Sequence, residues 1–158
     1  MLDLPRIVIT ARQVTAIIPV RVRRSEIQQV MGPGIQELMS SIAAQDIAPA
    51  GPWFTHHLQM EPEYFDFEIG IPVSQPVKAA GRMLPSERPA MTVAQTTYRG
   101  PYEGLGTAWS EFEEWISSKG HTSAVDLWEC YVAGPESSPD PAEWRTQLDR
   151  PLKSARAS

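Results

Sequence analysis

The sequence predicts an α+β fold: a duplicated β-α-β-β repeat whose curved antiparallel sheet packs on two main helices. Several runs are rich in β-branched and aromatic residues, two segments repeat apolar residues at helical spacing, and both halves have the same order of elements. Such a duplication buries each helix against a shared sheet. The predicted halves span about residues 6–75 and 83–152, and residues 153–158 form a tail that we expect to fray.

The first half begins with an extended segment from Ile7 to Ile18. Pro19 interrupts this run, so we expect an edge strand or a strand end there. A helical turn at Ser25-Glu26 is predicted to stop at Gly32-Pro33-Gly34, where a new helix starts because proline is tolerated in a first helical turn. The apolar face of this helix is predicted to be Ile35, Leu38, Met39 and Ile42.

A hairpin follows the first helix. Its strands are predicted at Trp53 to Met60 and at Tyr64 to Val73, where apolar and polar residues alternate. The next segment, Val73 to Pro89, contains several prolines. We expect it to be a loop that links the halves or covers a pocket.

The second half repeats the same order. Met91 to Tyr98 is predicted to be a strand, and Gly120 is placed to end the following helix in a left-handed conformation. Asp126 to Val132 and Arg145 to Asp149 form the predicted closing hairpin. The apolar face of the second helix is predicted to be Leu105, Ala108, Trp109, Phe112 and Ile116.

Length and composition indicate one folded domain of 158 residues that can bury a core. The apolar runs are too short to cross a bilayer, and no basic segment followed by an apolar stretch marks a secretory signal. The single cysteine, Cys130, excludes an internal disulfide and fits a reducing compartment. We therefore expect a cytoplasmic protein without membrane contact.

The net charge of −5 disfavours direct binding to nucleic acid. Phosphate binding normally needs a basic stripe, and the tightest basic cluster is Arg21, Arg23 and Arg24. This cluster fits a solvated strand end, or alternatively a contact with a membrane or an acidic partner.

Glu129 is the strongest candidate for a functional residue. It lies between aromatic residues in a predicted buried strand, and a buried carboxylate is costly unless it is compensated. Alternation places it on the same face as Leu127 and Tyr131, so its negative charge would lie next to an aromatic side chain. This combination suits a cationic or proton-accepting small molecule. The alternative is a solvent-facing strand residue.

The motifs of the second half stand in a distinctive order: Tyr98-Arg99-Gly100-Pro101-Tyr102, a helix with Trp109 and Trp115, Trp128-Glu129-Cys130-Tyr131, and a proline-rich loop into Thr146 to Pro151. This order resembles the GyrI-like superfamily, which supplies effector-binding domains of multidrug-responsive regulators of the MerR and AraC types. The resemblance implies a ligand held between the two halves. It also implies that Glu129 contacts cationic drugs, in a stand-alone member without the DNA-binding domain.

Aromatic residues are predicted to line the pocket. The hydroxyl of Tyr131 would orient the carboxylate, or its ring would stack on a flat ligand or belong to the core. Trp109 fits core packing as well as ligand contact. The predicted ligand-binding residues are Glu129, Tyr131, Tyr102, Trp109, Trp115, Trp53, Phe54, His57 and Tyr98. Of these, Trp53, Phe54 and His57 belong to the first half and would form the opposite wall of the pocket.

Other chemistry has weak support in the sequence. His56 and His57 are neighbours on a predicted strand and point to opposite faces, so they do not form a metal site. No Gly-x-Ser-x-Gly elbow is present, and Cys130 has no evident activating base. We expect no metal and no cofactor.

The sequence therefore predicts a protein that binds hydrophobic, cationic small molecules for sensing or sequestering toxic compounds. An alternative is a hydrolase of reactive cyclopropane-containing toxins, with Glu129 and Tyr131 as catalytic residues. A third possibility is a gyrase-inhibitor-like interaction module. A homodimer or a separate protein partner fits each of these functions.

Overall fold

The computed structural model describes residues 2–60, 62–134 and 137–153. Within these residues the chain forms eight strands and two α-helices, which confirms the predicted α+β class. Of the predicted tail, only Lys153 lies within the described residues. In chain order, the elements are β1 (Arg6–Ile9), β2 (Gln13–Arg23), α1 (Ile27–Ala44), β3 (Phe54–Met60), β4 (Tyr64–Pro72), β5 (Leu84–Arg88), β6 (Thr92–Arg99), α2 (Leu105–Ser118), β7 (Leu127–Ala133) and β8 (Arg145–Pro151).

The chain forms two compact units, one from Ala11–Ala90 and one from the residues before and after that range. Each unit has four antiparallel strands and one α-helix. The strand order is β3-β4-β2-β5 in the Ala11–Ala90 unit and β1-β6-β8-β7 in the other. The predicted repeat is confirmed, since β2-α1-β3-β4 is followed by β6-α2-β7-β8.

The predicted first strand is in fact two strands. Residues 10–12 separate β1 from β2. Strand β1 pairs with β6, and both lie outside the Ala11–Ala90 unit, whereas β2 pairs with β4 and β5 inside that unit. Pro19 does not end β2, which continues to Arg23. The pairing with β5 stops at Ile17, so Pro19 has only β4 as a neighbour and its missing N–H is tolerated.

The predicted loop from Val73 to Pro89 contains the strand β5, so this prediction is wrong in part. Pro85 lies in β5, which forms the outer edge of its sheet, where a proline can be accommodated. Arg82, just before β5, donates hydrogen bonds to Glu37 of α1 and holds the pKa of that carboxyl below its ordinary value. The segment is therefore attached to the helix.

Helix α1 runs without interruption through Gly32-Pro33-Gly34, so the predicted break is wrong. Apolar side chains on both sides of Pro33, including Ile27 and Leu38, pack against the same core, and this packing maintains the helix. Met39 is 44% exposed and does not belong to the buried face, contrary to the prediction. It follows Leu38 directly and therefore points about 100° away around the helix.

The core of the Ala11–Ala90 unit consists of aliphatic and phenylalanine side chains from α1 and the sheet. Phe54 lies across Gly70, where a Cβ atom would collide with the phenyl ring. The fully buried members include Ala16, Ile18, Leu38, Phe67 and Ile69.

In the other unit, α2 packs on the sheet through the predicted face. Ala108, Phe112 and Ile116 are buried against Ala94 and Leu148. Gly120 has a φ of 79°, which confirms the predicted left-handed residue after the helix. The helix therefore lies over β6 and β8 and faces the side chains of the closing hairpin.

Candidate functional site

Glu129 lies in the middle of β7, on the face of the sheet that packs against α2. It pairs with Leu148, which belongs to the same buried cluster as Phe112. Directly opposite residues of an antiparallel pair share a face. Glu129 is 9% exposed, so the alternative of a solvent-facing residue is wrong.

Two hydrogen bonds hold the carboxylate of Glu129. The indole Nε1 of Trp109, on α2, donates to Oε2 at 2.7 Å, and the hydroxyl of Tyr131 donates to Oε1 at 2.6 Å. Short bonds to an ionised acceptor are strong, and they offset part of the cost of burial. Both partners are neutral. A carboxylate accepts about four hydrogen bonds, so within the described residues about two acceptor positions of Glu129 are not used.

A series of aromatic contacts extends from Tyr131. Its ring meets the ring of Tyr102 edge-on at 5.8 Å between centroids, and Tyr102 lies 5.0 Å from Trp144. On α2, the ring of Trp109 lies 5.8 Å from that of Phe112. The structure therefore brings three of the predicted aromatic residues, Tyr131, Tyr102 and Trp109, together around Glu129.

Trp144 belongs to this cluster although it is absent from the predicted set. Its backbone carbonyl accepts from Gly100, and its Nε1 donates to the carbonyl of Ser138 at 2.9 Å. The carboxylate of Asp140 caps the short helical turn Pro141–Glu143 that precedes it. Strand alternation could not have revealed Trp144, because it lies just before β8, at the end of this turn.

Tyr98 lies beneath the turn that leads into α2. Its hydroxyl donates to the carbonyl of Pro101 at 2.9 Å. Its ring occupies the space that a Cβ atom of Gly104 would need, and Gly100 has a φ of 138°, which favours glycine. Tyr98 therefore supports the turn that carries Tyr102, and its contact with a ligand stays a prediction.

The remaining predicted residues are engaged in packing. Trp115 packs against the α2 cluster, with its ring stacked on Phe112 at 6.4 Å. Trp53, Phe54 and His57 lie in the Ala11–Ala90 unit, where Phe54 is buried and His57 stacks on Phe67 at 5.2 Å. Their participation in a ligand site stays a prediction.

Within residues 2–60, 62–134 and 137–153, no three His, Cys, Asp or Glu side chains are grouped so that they could hold a metal ion. In the same residues, no helix combines the length and apolar character needed to cross a membrane.

Several solved structures share this fold. The C-terminal domain of EcmrR is 20% identical with a TM-score of 0.84, and the match covers 96% of this chain and 98% of that domain. EcmrR in its complex with DNA is 21% identical, also with a TM-score of 0.84. The match covers 96% of this chain, which spans 58% of the length of that EcmrR chain.

Two more distant structures are also similar. SAV2435 bound to tetraphenylphosphonium is 10% identical with a TM-score of 0.65, covering 98% of this chain and 97% of that one. A hydrolase from Listeria innocua is 12% identical with a TM-score of 0.66, and the match covers 94% of this chain and 91% of that hydrolase. No curated protein matches the sequence. The family model of the GyrI-like small-molecule-binding domain matches residues 16–153, and the chain belongs to this family.

Proposed function

We propose that this chain binds hydrophobic organic cations at Glu129. The observation that carries the proposal is a buried carboxylate whose described partners, Trp109 and Tyr131, are neutral. A buried carboxylate without an opposite charge is poorly compensated. A cationic ligand would supply that charge in surroundings where the Coulomb attraction is strong.

The aromatic rings next to Glu129 support the same ligand class. The ring of Tyr102 contacts those of Tyr131 and Trp144, and a cation over a favourable ring gains about 0.5–2 kcal/mol. Ring faces also bury apolar ligand surface without requiring one ligand shape, which favours broad recognition. The similar fold of SAV2435 is bound to tetraphenylphosphonium, an aromatic cation.

Binding of this kind suits sensing or sequestering toxic compounds, and a cytoplasmic location is part of the proposal. The single cysteine, Cys130, is buried, which fits a reducing compartment. The net charge of −5 supports a role without direct contact to nucleic acid. A response to the ligand would then pass to a second copy of the chain or to a separate protein.

The test is a tryptophan-fluorescence titration with a rhodamine-type dye on the wild type, Glu129→Gln and Glu111→Gln. Glu111 is exposed on α2, so its variant loses the same charge away from the site. We expect saturable quenching in the wild type and Glu111→Gln. In Glu129→Gln the affinity should be about tenfold weaker, or about 1.4 kcal/mol.

Two outcomes would contradict the proposal. If the wild type gives no saturable response, the chain has no cation site of this kind. If both variants lose affinity equally, the dye responds to net charge and not to the carboxylate of Glu129.

A second candidate function is hydrolysis of a reactive electrophile. The 2.6 Å bond between the Tyr131 hydroxyl and Glu129 pairs a base with a donor that could stabilise developing charge. The similar fold of a hydrolase from Listeria innocua adds to this possibility. Mass spectrometry of cyclopropane-containing toxins incubated with the protein would detect a hydrolysed product. Glu129→Gln should abolish that product and retain binding, whereas an unchanged toxin would exclude this function.

A further inference from the structure

Thr146 is a completely buried residue whose hydroxyl has no hydrogen-bond partner within the described part of the chain. It lies on β8, directly between Tyr98 of β6 and Tyr131 of β7. The hydroxyls of both tyrosines are used elsewhere, by Pro101 and by Glu129. Most buried polar groups are hydrogen-bonded, so this exception needs an explanation.

The register of the sheet places Thr146 on the same face as Glu129. Because Thr146 is paired with Tyr131, its side chain shares the face on which Glu129 lies. Glu129 is the diagonal neighbour, at a distance of about 7–8 Å. Trp144 lies just before β8, and its ring contacts that of Tyr102, which in turn contacts Tyr131. The carboxylate of Glu129 and the hydroxyl of Thr146 are therefore buried on one face of the sheet.

We propose that the Thr146 hydroxyl is a hydrogen-bonding position of the Glu129 site, and that it directs the site towards aromatic cations that carry N–H groups. This inference rests on the proposed function. The open acceptor positions of Glu129 and the oxygen of Thr146 can both accept from N–H donors. A cation without N–H groups leaves the threonine oxygen unpaired, so the site distinguishes the two kinds of cation.

The experiment compares two rhodamine dyes by fluorescence anisotropy. Rhodamine 6G carries N–H groups on its two exocyclic amino nitrogens, and the second dye is a rhodamine ester whose amino nitrogens are fully alkylated. The variants are Thr146→Val, which removes the hydroxyl and keeps the shape, and Thr146→Ser, which keeps the hydroxyl. Thr96→Val is the matched control, since the Thr96 hydroxyl is buried but donates to the carbonyl of Asp3.

We expect Thr146→Val to weaken binding of rhodamine 6G by about fivefold to tenfold and to leave the alkylated dye unchanged. Thr146→Ser should retain the preference of the wild type. The melting temperature of Thr146→Val should not fall, because the lost hydroxyl had no partner, whereas that of Thr96→Val should fall by a few degrees. Thr96→Val should keep the dye preference.

The outcomes separate this inference from the proposed function. If Glu129→Gln weakens both dyes and Thr146→Val changes neither, or changes both equally, the cation site stands and the role of Thr146 is overturned. If the wild type binds neither dye, both proposals fail. A loss confined to rhodamine 6G, restored by Thr146→Ser, supports the inference.

Discussion

The two donors that hold Glu129 come from different parts of the chain. Tyr131 is two residues away on the same strand, whereas Trp109 lies on α2. Alternation along a strand is a local property, so the shared face of Glu129 and Tyr131 could be predicted. The contact from Trp109 could not, because it depends on how α2 is rotated and spaced over the sheet.

Trp109→Phe tests the importance of the indole donor. This change removes the hydrogen bond to Oε2 of Glu129 and leaves that buried oxygen without its partner. We expect the free energy of unfolding to fall by about 1–3 kcal/mol in a urea titration. Trp115→Phe is the control, since Trp115 is a partly buried residue of the same helix and its indole makes no hydrogen bond within the described residues. Equal losses in both variants would assign the effect to packing.

At the scale of elements, α1 differs most from its predicted form. Glycine and proline in sequence predict a break. The structure has a continuous helix because apolar residues before and after Pro33 pack against one core. This packing outweighs the local preference of glycine and proline to end a helix. Local preference also misled the prediction at β5, where Pro85 and Pro89 indicated a loop although the segment is a strand. Local signals describe these segments in isolation, whereas packing decides their conformation.

The two glycines of α1 provide a prediction for this helix. Gly32 has open space where a Cβ would lie, whereas a Cβ on Gly34 would be 2.6 Å from Cδ1 of Ile69. Gly32→Ala gains about 0.5–1 kcal/mol of helix propensity, but its Cβ crowds Cδ of Pro33, which disfavours the helical conformation, so we expect the free energy of unfolding to change little. Gly34→Ala gains the same propensity but meets Ile69, so we expect it to be less stable than Gly32→Ala. Urea unfolding of both variants checks this order, and equal stabilities would contradict the close approach of helix and strand.

At the scale of the whole molecule, the repeat could be predicted, but the unit to which each outer strand belongs could not. Hydrophobic alternation indicates that a segment is a strand, but it does not indicate which strand it pairs with. β1 and β2 therefore formed one predicted segment, although their partners lie in different units. The pairing of Arg6 with Gln95 depends on contacts across most of the chain.

Hydrogen exchange can locate the ligand site among the elements. If Glu129 is the centre of binding, saturating rhodamine 6G should slow amide exchange in β7, β8 and α2. Ligand binding stabilises the elements that it contacts, by about 2.7 kcal/mol at a ligand concentration of 100 times Kd. Glu129→Gln should reduce this protection at the same dye concentration. Protection confined to residues 11–90 would contradict the assignment.

The placement of β1 has a consequence for the order in which the protein folds. The ribosome makes β1 before its partner β6, and the entire Ala11–Ala90 unit lies between the two strands in sequence. Arg6 and Gln95, which are joined by a hydrogen bond, stand 89 residues apart in sequence. Closing so long a loop is entropically unfavourable, and such non-local pairings form slowly. Until β6 has been synthesised, β1 has no partner strand, and Ile7 and Ile9 of β1 can contact other chains.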